Sequence, residues 1–194
     1  MPFRERPSAG IHTLLEEAEN ERMHLLTFLQ TFEPGLFTRS VVFLTQFGFG
    51  GLFITLYVAS PRTAHRLVGY IEEMAVVTYT NIIEMVETPG TKLNDAWSHK
   101  SAPEIAKSYW RLPDDASFLT VIKQVAADET NHRDVNHTFA SMSARDVNPY
   151  VAKHITDAAK AVEYWKQQEL GEVIEGKDLD YTLKPKTPPQ ANPA

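Results

Sequence analysis

Three long segments of this chain carry apolar or small side chains at alternating spacings of three and four residues. Such spacing places each series on one face of an α-helix. No segment alternates convincingly with the period of two that is typical of strands. The sequence therefore predicts an all-α fold. The predicted faces are Leu14, Ala18, Glu21, Leu25 and Phe28; Val68, Glu72, Ala75, Tyr79 and Ile82; and Ile122, Val125, Glu129, His132, Asn136 and Phe139. One glutamate interrupts each face, and these glutamates are Glu21, Glu72 and Glu129.

Two of these glutamates are followed three residues later by a histidine, His24 and His132. Burying an unpaired carboxylate is costly, and a bound dication would supply the missing counter-charge. Di-iron and di-manganese helical bundles use Glu-x-x-His from each of two helices and one glutamate from each of two others. The chain shows five of those six ligands. The residues alone leave iron or manganese open, as well as the alternative that the glutamates face solvent.

Residues 40–61 form a run of 22 residues without a charged side chain, between Arg39 and Arg62. About 20 apolar residues are enough to span a bilayer. Gln46 and three glycines weaken that interpretation. A spanning helix, a helix lying in the membrane interface and a buried core helix all remain open.

By composition and pattern, the whole chain divides into three parts. We predict an irregular N-terminus over 1–10, one helical domain over 11–175 and a disordered proline-rich tail over 176–194. Within the domain, the patterns predict long helices over about 11–32, 63–86, 118–142 and 150–175, with short helical pieces between the second and third.

Composition excludes several classes of protein. The net charge of −6 and the lack of a basic stripe give no reason to expect nucleic acid as a partner. The chain has no cysteine, so disulfides and thiolate metal sites are excluded. Its first ten residues contain no apolar stretch of the kind found in secretory signals.

Three longer motifs resemble the alternative oxidase family, the cyanide-insensitive ubiquinol oxidases. They are NERMHL (20–25), VGYIEEMAVVTYT (68–80) and ADETNHRDVNH (127–137), and the similarity continues from about residue 11 to 140. The resemblance implies a ferritin-like di-iron four-helix-bundle fold, here with three of the four ligand-bearing helices plus an interfacial membrane helix at 40–61. It also implies two iron ions and the reduction of oxygen to water by ubiquinol without proton pumping.

The resemblance further implies a role for individual residues. Tyr79 resembles the family's redox-active tyrosine. The iron ligands would be Glu21, His24, Glu72, Glu129 and His132. Residues that orient these ligands would be Asn20, Asp128 and Trp110, and the quinol headgroup would approach Ile71, Ala75 and Thr78.

Members of the family lie on the matrix side of the inner mitochondrial membrane and are usually homodimers. The resemblance therefore implies ubiquinol, oxygen, membrane lipid and a second copy of the chain as partners. Arg39, Arg62 and Arg66 would lie at the level of the lipid headgroups.

The chain also departs from the family pattern. We expect the family's first ligand glutamate, and part of its quinol pocket, to lie on helices upstream of the first segment seen here. Met74 stands where the family carries a third consecutive glutamate. These departures leave open a truncated, non-catalytic, membrane-associated member of the family. A soluble ferritin-like iron protein is a further alternative, although it does not explain the uncharged run.

Overall fold

The computed structural model describes residues 7–143, 146, 148–150 and 163. Within these residues the chain forms helices and no strand, which confirms the all-α prediction. The helices are α1 (Pro7–Phe32), α2 (Leu36–Ala59), α3 (Pro61–Glu87), α4 (Lys92–Trp97), α5 (Glu104–Trp110) and α6 (Phe118–Ser141).

The chain separates into two units, Met1–Val147 and Asn148–Ala194. All six helices belong to the first unit. In the second, the backbone N–H of Tyr150 donates to Asn148 Oδ1 at 2.9 Å. Apart from Tyr150 and Glu163, the predicted helix over 150–175 and the tail over 176–194 lie outside the described residues.

Local chemistry accounts for the ends of the long helices. α1 begins at Pro7, so the predicted irregular segment 1–10 was too long at its C-terminal end. Proline fits the first turn of a helix because its missing N–H would have no partner there. α1 ends where Glu33 takes a positive φ of 43° ahead of Pro34. α3 begins behind Ser60, whose hydroxyl accepts from the backbone N–H of Thr63.

The hydrophobic core lies around α6. The face of α6 predicted from the spacing is buried along its whole length, including its three polar members. Its residues are Ile122, Val125, Glu129, His132, Asn136 and Phe139. Alanines and aromatic side chains of the α4–α5 region pack against its first half. The predicted faces of α1 and α3 are only half-buried, and Ala18 is exposed. α1 and α3 therefore border the core, whereas α6 forms its centre.

α2 has no buried residue, although it is long and apolar enough to cross a membrane. Large apolar side chains such as Phe37 and Phe47 are about four-fifths exposed. The core-helix interpretation of the uncharged run is therefore wrong for this chain. The helix begins at Leu36, so Arg39 lies within its first turns instead of preceding it.

α3 and α6 pack closely at one glycine. A Cβ at Gly69 would lie 2.6 Å from His137 Nδ1, so the helices meet at this distance only because glycine has no side chain. Arg66 donates to the same nitrogen at 2.8 Å and to Ser141 Oγ at 2.7 Å. Arg66 is thus held against α6, and its expected place at the level of the lipid headgroups stays a prediction.

Candidate metal centre

Three helices bring the five predicted ligands together. α1 contributes Glu21 and His24, α3 contributes Glu72, and α6 contributes Glu129 and His132. One ligand atom from each of the three glutamates and from His132 lies within 4.8 Å of all the others. His24 joins the group through Nδ1, which lies 3.4 Å from Glu129 Oε1 and 3.5 Å from Glu21 Oε1.

The two histidines present the same nitrogen to the carboxylates. His132 Nδ1 lies 2.9 Å from Glu21 Oε1 and 3.8 Å from Glu129 Oε2. Both rings are buried, with 4% and 3% of their surface exposed for His24 and His132. Among the described residues, however, neither Nδ1 atom has a well-directed hydrogen-bond partner. Buried nitrogens that approach carboxylates without bonding to them are suited to sharing a cation with those carboxylates.

The carboxyl groups of the cluster differ in their tendency to ionise. Burial raises the pKa of Glu72 to about 9, and the neighbouring Glu129 carboxylate adds to that rise. Burial also acts to raise the pKa of Glu129, but the close approach of His132, His24 and Glu72 outweighs it and holds that pKa well below its usual range. Without metal, Glu72 is therefore a neutral acid beside the Glu129 carboxylate.

The histidines balance the carboxylates that remain ionised. Burial acts to lower the pKa of His24, yet its hydrogen bond to Asp128 and the nearby carboxylates of Glu129 and Glu21 raise it to about 11. Burial likewise opposes the charge on His132, and the nearby carboxylates of Glu129 and Glu21 raise its pKa to about 10. The positive charges of the two imidazolium groups thus compensate the carboxylates, as the charges of metal ions would.

Asp128 supports His24 from the side away from the cluster. Its Oδ2 atom accepts from His24 Nε2 at 3.2 Å, Asn20 Nδ2 at 2.9 Å and Trp110 Nε1 at 2.9 Å. Asn20 also donates to Tyr109 Oη at 3.0 Å. An ionised carboxylate accepts only, so His24 carries a proton on Nε2 and turns Nδ1 towards the ligands. The three residues predicted to orient ligands are therefore joined in one hydrogen-bonded group.

A cavity of about 460 Å³ opens beside the cluster. Tyr79 lines it together with Glu21, His24 and Glu129, and Gln46 reaches it from α2. Burial, followed by the charges of the glutamates, raises the pKa of Tyr79, so its phenol keeps its proton. The position of Tyr79 agrees with a role next to the metal ligands, and that role stays a prediction.

The three residues proposed to approach the quinol do not line this cavity. Ile71 and Thr78 are exposed and Ala75 is half-buried on α3. The hydroxyl of Thr78 donates to the backbone oxygen of Met74 at 2.7 Å. Their proposed role in quinol binding is therefore still a prediction.

Four polar residues near the cluster were given no functional role by the sequence patterns, although Asn136 was placed on the buried face of α6. Glu17 lies one turn before Glu21, and burial raises its pKa to about 7 against the opposing charge of His132. Asn136 and His65 are buried and bond to each other, Nδ1 to Oδ1, at 2.9 Å. Tyr109 is the fourth, through its bond to Asn20. The spacing of Glu17 from Glu21 was a usable signal, since residues four apart share a helix face.

The chemistry of this ligand set fits a hard divalent cation. It combines three carboxylates with two imidazole nitrogens from rigid helices, and ligands of this kind suit iron or manganese. The orphaned Nδ1 atoms, rather than the identities of the residues alone, support this fit. Half of the Glu21 side chain, 49%, is exposed, so the cluster is open to solvent on that side.

Comparisons with known proteins agree with the geometry. The family model for alternative oxidase matches residues 1–141. A mitochondrial alternative oxidase of Cryptococcus neoformans var. grubii is 50% identical over 151 residues, 77% of this chain and 37% of that protein. A mitochondrial alternative oxidase of Aspergillus niger is 48% identical over 158 residues, 80% of this chain and 44% of that protein. For alternative oxidase 2 of Candida albicans the identity is 46% over 150 residues, 76% of this chain and 40% of that protein.

The chain thus spans between 37% and 44% of the length of these relatives. The matched region contains all six helices and all five predicted ligands. On the strength of the family match and the shared identity, this chain belongs to the alternative oxidase family.

Proposed function

We propose that the chain carries the di-iron centre of a ubiquinol oxidase that reduces oxygen to water without pumping protons. The observation that carries the proposal is the convergence of three carboxylates and two orphaned Nδ1 atoms from three helices. The names of its relatives support the same class of reaction. Glu21, Glu72, Glu129, His24 and His132 would hold two irons, which when bound supply the electron transfer from ubiquinol to oxygen.

The protein's own groups have distinct tasks in this proposal. Asp128 fixes the tautomer of His24, so that Nδ1 is always the nitrogen offered to metal. The Trp110 ring stacks on His24 with centroids 5.9 Å apart and excludes water from that face. Tyr79 holds a proton at its phenol oxygen beside the cavity, where it is available when an electron leaves the ring.

We further propose that α2 lies in the membrane interface, with the protein on the matrix side of the inner mitochondrial membrane. The relatives are named mitochondrial. α2 is a long, mainly apolar helix with no buried residue, which supports contact with lipid, and an amphipathic helix can lie with its apolar face among acyl chains. Lipid and a second copy of the chain would then be partners.

The test is ubiquinol-driven oxygen consumption with cyanide present, in membranes that contain this chain. Glu129 is 5% exposed at the centre of the cluster, so Glu129→Ala should abolish both iron binding and oxygen consumption. Glu104→Ala is the matched control, because the Glu104 side chain is 83% exposed on α5. Normal turnover in Glu129→Ala would refute the proposal.

A non-catalytic, membrane-associated role is the second candidate. The exposure of Glu21, together with exposed apolar side chains on α1 and α3 such as Leu15 and Met74, favours it. Iron analysis of the purified chain separates the two candidates. Two tightly bound irons per chain would argue against the non-catalytic role, whereas iron-free protein without turnover would support it.

A further inference from the structure

A buried amide on α6 is hydrogen-bonded to residues of all three helices that carry the predicted ligands. Asn136 is 2% exposed. Its Nδ2 atom donates to the backbone oxygen of His132, on its own helix, at 3.0 Å and to the two carboxyl oxygens of Glu17 on α1 at 3.1 and 3.4 Å. Its Oδ1 atom lies 2.9 Å from Nδ1 of His65 on α3. Asn136, Glu17 and His65 therefore form one group, which we call the Asn136 layer.

The partners of Asn136 leave one orientation for the amide. The backbone oxygen of His132 and the carboxyl oxygens of Glu17 accept, so the amide nitrogen must face them. The amide oxygen then faces His65, which must donate from Nδ1. Burial lowers the pKa of His65, and a neutral imidazole with its proton on Nδ1 meets this requirement. Because hydrogen bonds are directional, the amide cannot turn without losing its contacts to α1 and α3.

The hydrogen bond to Asn136 gives direction to the packing of His65. The His65 ring is 3% exposed, and among the described residues its Nε2 atom has no hydrogen-bond partner. The ring meets Tyr57 of α2 and Phe139 of α6 edge to face, with centroids 5.5 and 5.3 Å apart. An apolar ring would fill this space without the cost of burying a polar group. Apolar packing alone therefore does not explain a histidine at this position.

The Asn136 layer lies on the same helix faces as the predicted ligands. On α1 and α6 its members are four residues from Glu21 and His132, and on α3 its member is seven residues from Glu72. Separations of four and seven residues return to the same face of a helix. The layer is therefore displaced from the ligands by about one to two helical turns on each of the three helices.

The hydrogen-bonded group around Asp128 does not include α3. It joins α6 to α1 through Asn20 and His24, and α6 to α5 through Trp110. Glu72 lies on α3, so this group cannot fix its place relative to the other ligands. Of the two groups, only the Asn136 layer connects the helix of Glu72 with both other ligand-bearing helices.

We propose that Asn136 is a positioning residue, which holds α1 and α3 against α6 at the spacing that the metal ligands need. The inference rests on the proposed metal centre. Metal ligands must be held within about 0.5 Å of their productive positions. An apolar layer would allow the three helices to pack at several similar spacings, whereas a fully paired polar group favours one of them. Asn136 acts through the helices and is not itself a ligand.

The test is a double-mutant cycle in the purified full chain, built from Asn136→Leu and His65→Phe. Leucine keeps the branching of the asparagine side chain and phenylalanine keeps an aromatic ring, but neither forms the shared hydrogen bond. Asn81→Leu is the matched control, because Asn81 is exposed on α3. Apo protein is titrated with Co²⁺, and the visible absorption of bound cobalt reports both affinity and ligand geometry.

Each single variant of the layer should bind cobalt about 10-fold or more weakly, with a changed spectrum, and Asn81→Leu should match the unmutated chain. The double variant should bind about as weakly as Asn136→Leu alone, because His65 acts through Asn136. Losses of affinity that add in the double variant would show that His65 acts independently of Asn136, and would overturn the inference.

Thermal unfolding of the apo proteins separates positioning from a purely structural role. The double variant removes both partners of the shared hydrogen bond, so it should unfold at a temperature no lower than that of Asn136→Leu, while its cobalt binding stays weak. Recovery of cobalt affinity together with the unfolding temperature would overturn the inference.

Unchanged cobalt affinity in either single variant would also overturn the inference but leave the metal centre intact. His65→Phe therefore decides the question even where Asn136→Leu does not fold. Failure of the unmutated chain to bind cobalt would overturn the proposed centre and the inference together.

Discussion

Loading the centre with metal should release protons, and their number follows from the groups that hold them. At pH 7, in the protein without metal, His24, His132 and Glu72 each hold one proton that metal binding would displace. They hold it because their pKa values are raised to about 11, 10 and 9. A metal ion needs the lone pair of each of these groups. We therefore expect up to three protons to be released per chain.

The sign of the pH dependence follows from these pKa values. Raised pKa values mean that apo protein binds protons that the loaded protein lacks, so metal affinity rises with pH. Each proton contributes about 1.4 kcal/mol per pH unit, and three contribute about 4 kcal/mol per unit near pH 7 to 8. The dependence should weaken as the pH passes each pKa in turn, first that of Glu72. Histidines and glutamates with ordinary pKa values would release almost no protons at pH 8.

Isothermal titration of apo protein with Co²⁺ at pH 8, in two buffers of different ionisation enthalpy, counts the released protons. Glu72→Gln serves as the internal reference, because glutamine carries no titrating proton at this position and the count should fall by one. Ionisation of metal-bound water adds protons to both proteins, so the difference between them isolates Glu72. Release of less than one proton by the unmutated chain would refute the assignment of protons to His24, His132 and Glu72.

Two further substitutions test the surroundings of the centre. Gly69→Ala should reduce the free energy of unfolding by about 1–3 kcal/mol in chemical denaturation, because the new methyl group meets His137. Gly48→Ala is the control, because Gly48 has open space around it. This variant should have an unchanged free energy of unfolding or one raised by up to about 1 kcal/mol. Asp128→Asn should weaken Co²⁺ binding about 10- to 100-fold, because the imidazole beside it loses its charged acceptor. Asp134→Asn, exposed on the same helix, should bind cobalt normally, and equal affinities of the two variants would contradict the role given to Asp128.

The accuracy of the sequence patterns depended on how completely each helix is surrounded. On α6 the period of the apolar residues identified every member of the buried face, because neighbours cover that face from Ile122 to Phe139. On α1 the same reasoning selected Ala18, which is exposed. Periodicity shows which residues share a face, but the neighbouring helices decide how much of that face is covered. The five ligands were still predicted, because the metal chemistry selects residue types as well as spacing.

Two features could not be obtained from the local pattern. The uncharged run would look the same as a core, interfacial or spanning helix, and only the absence of burial along α2 removes the first of these. The inward orientation of Glu17 depends on Asn136, which is 119 residues away along the chain. A contact of that separation leaves no periodic signal near Glu17, whose spacing from Glu21 only shows that the two share a face.

The charge arrangement explains how one cluster can be stable with and without metal. With ordinary pKa values, the three glutamates would be ionised and the two imidazoles neutral at pH 7. The three carboxylates would then repel one another, with no positive charge nearby to replace the lost water. In the apo protein, two imidazolium groups and the neutral Glu72 bring the cluster close to charge balance. Metal ions held by Glu21, Glu72, Glu129, His24 and His132 would supply the positive charge that those protons supply in the apo protein. The half-exposed Glu21 marks the open side of the cluster, where protons would exchange for metal.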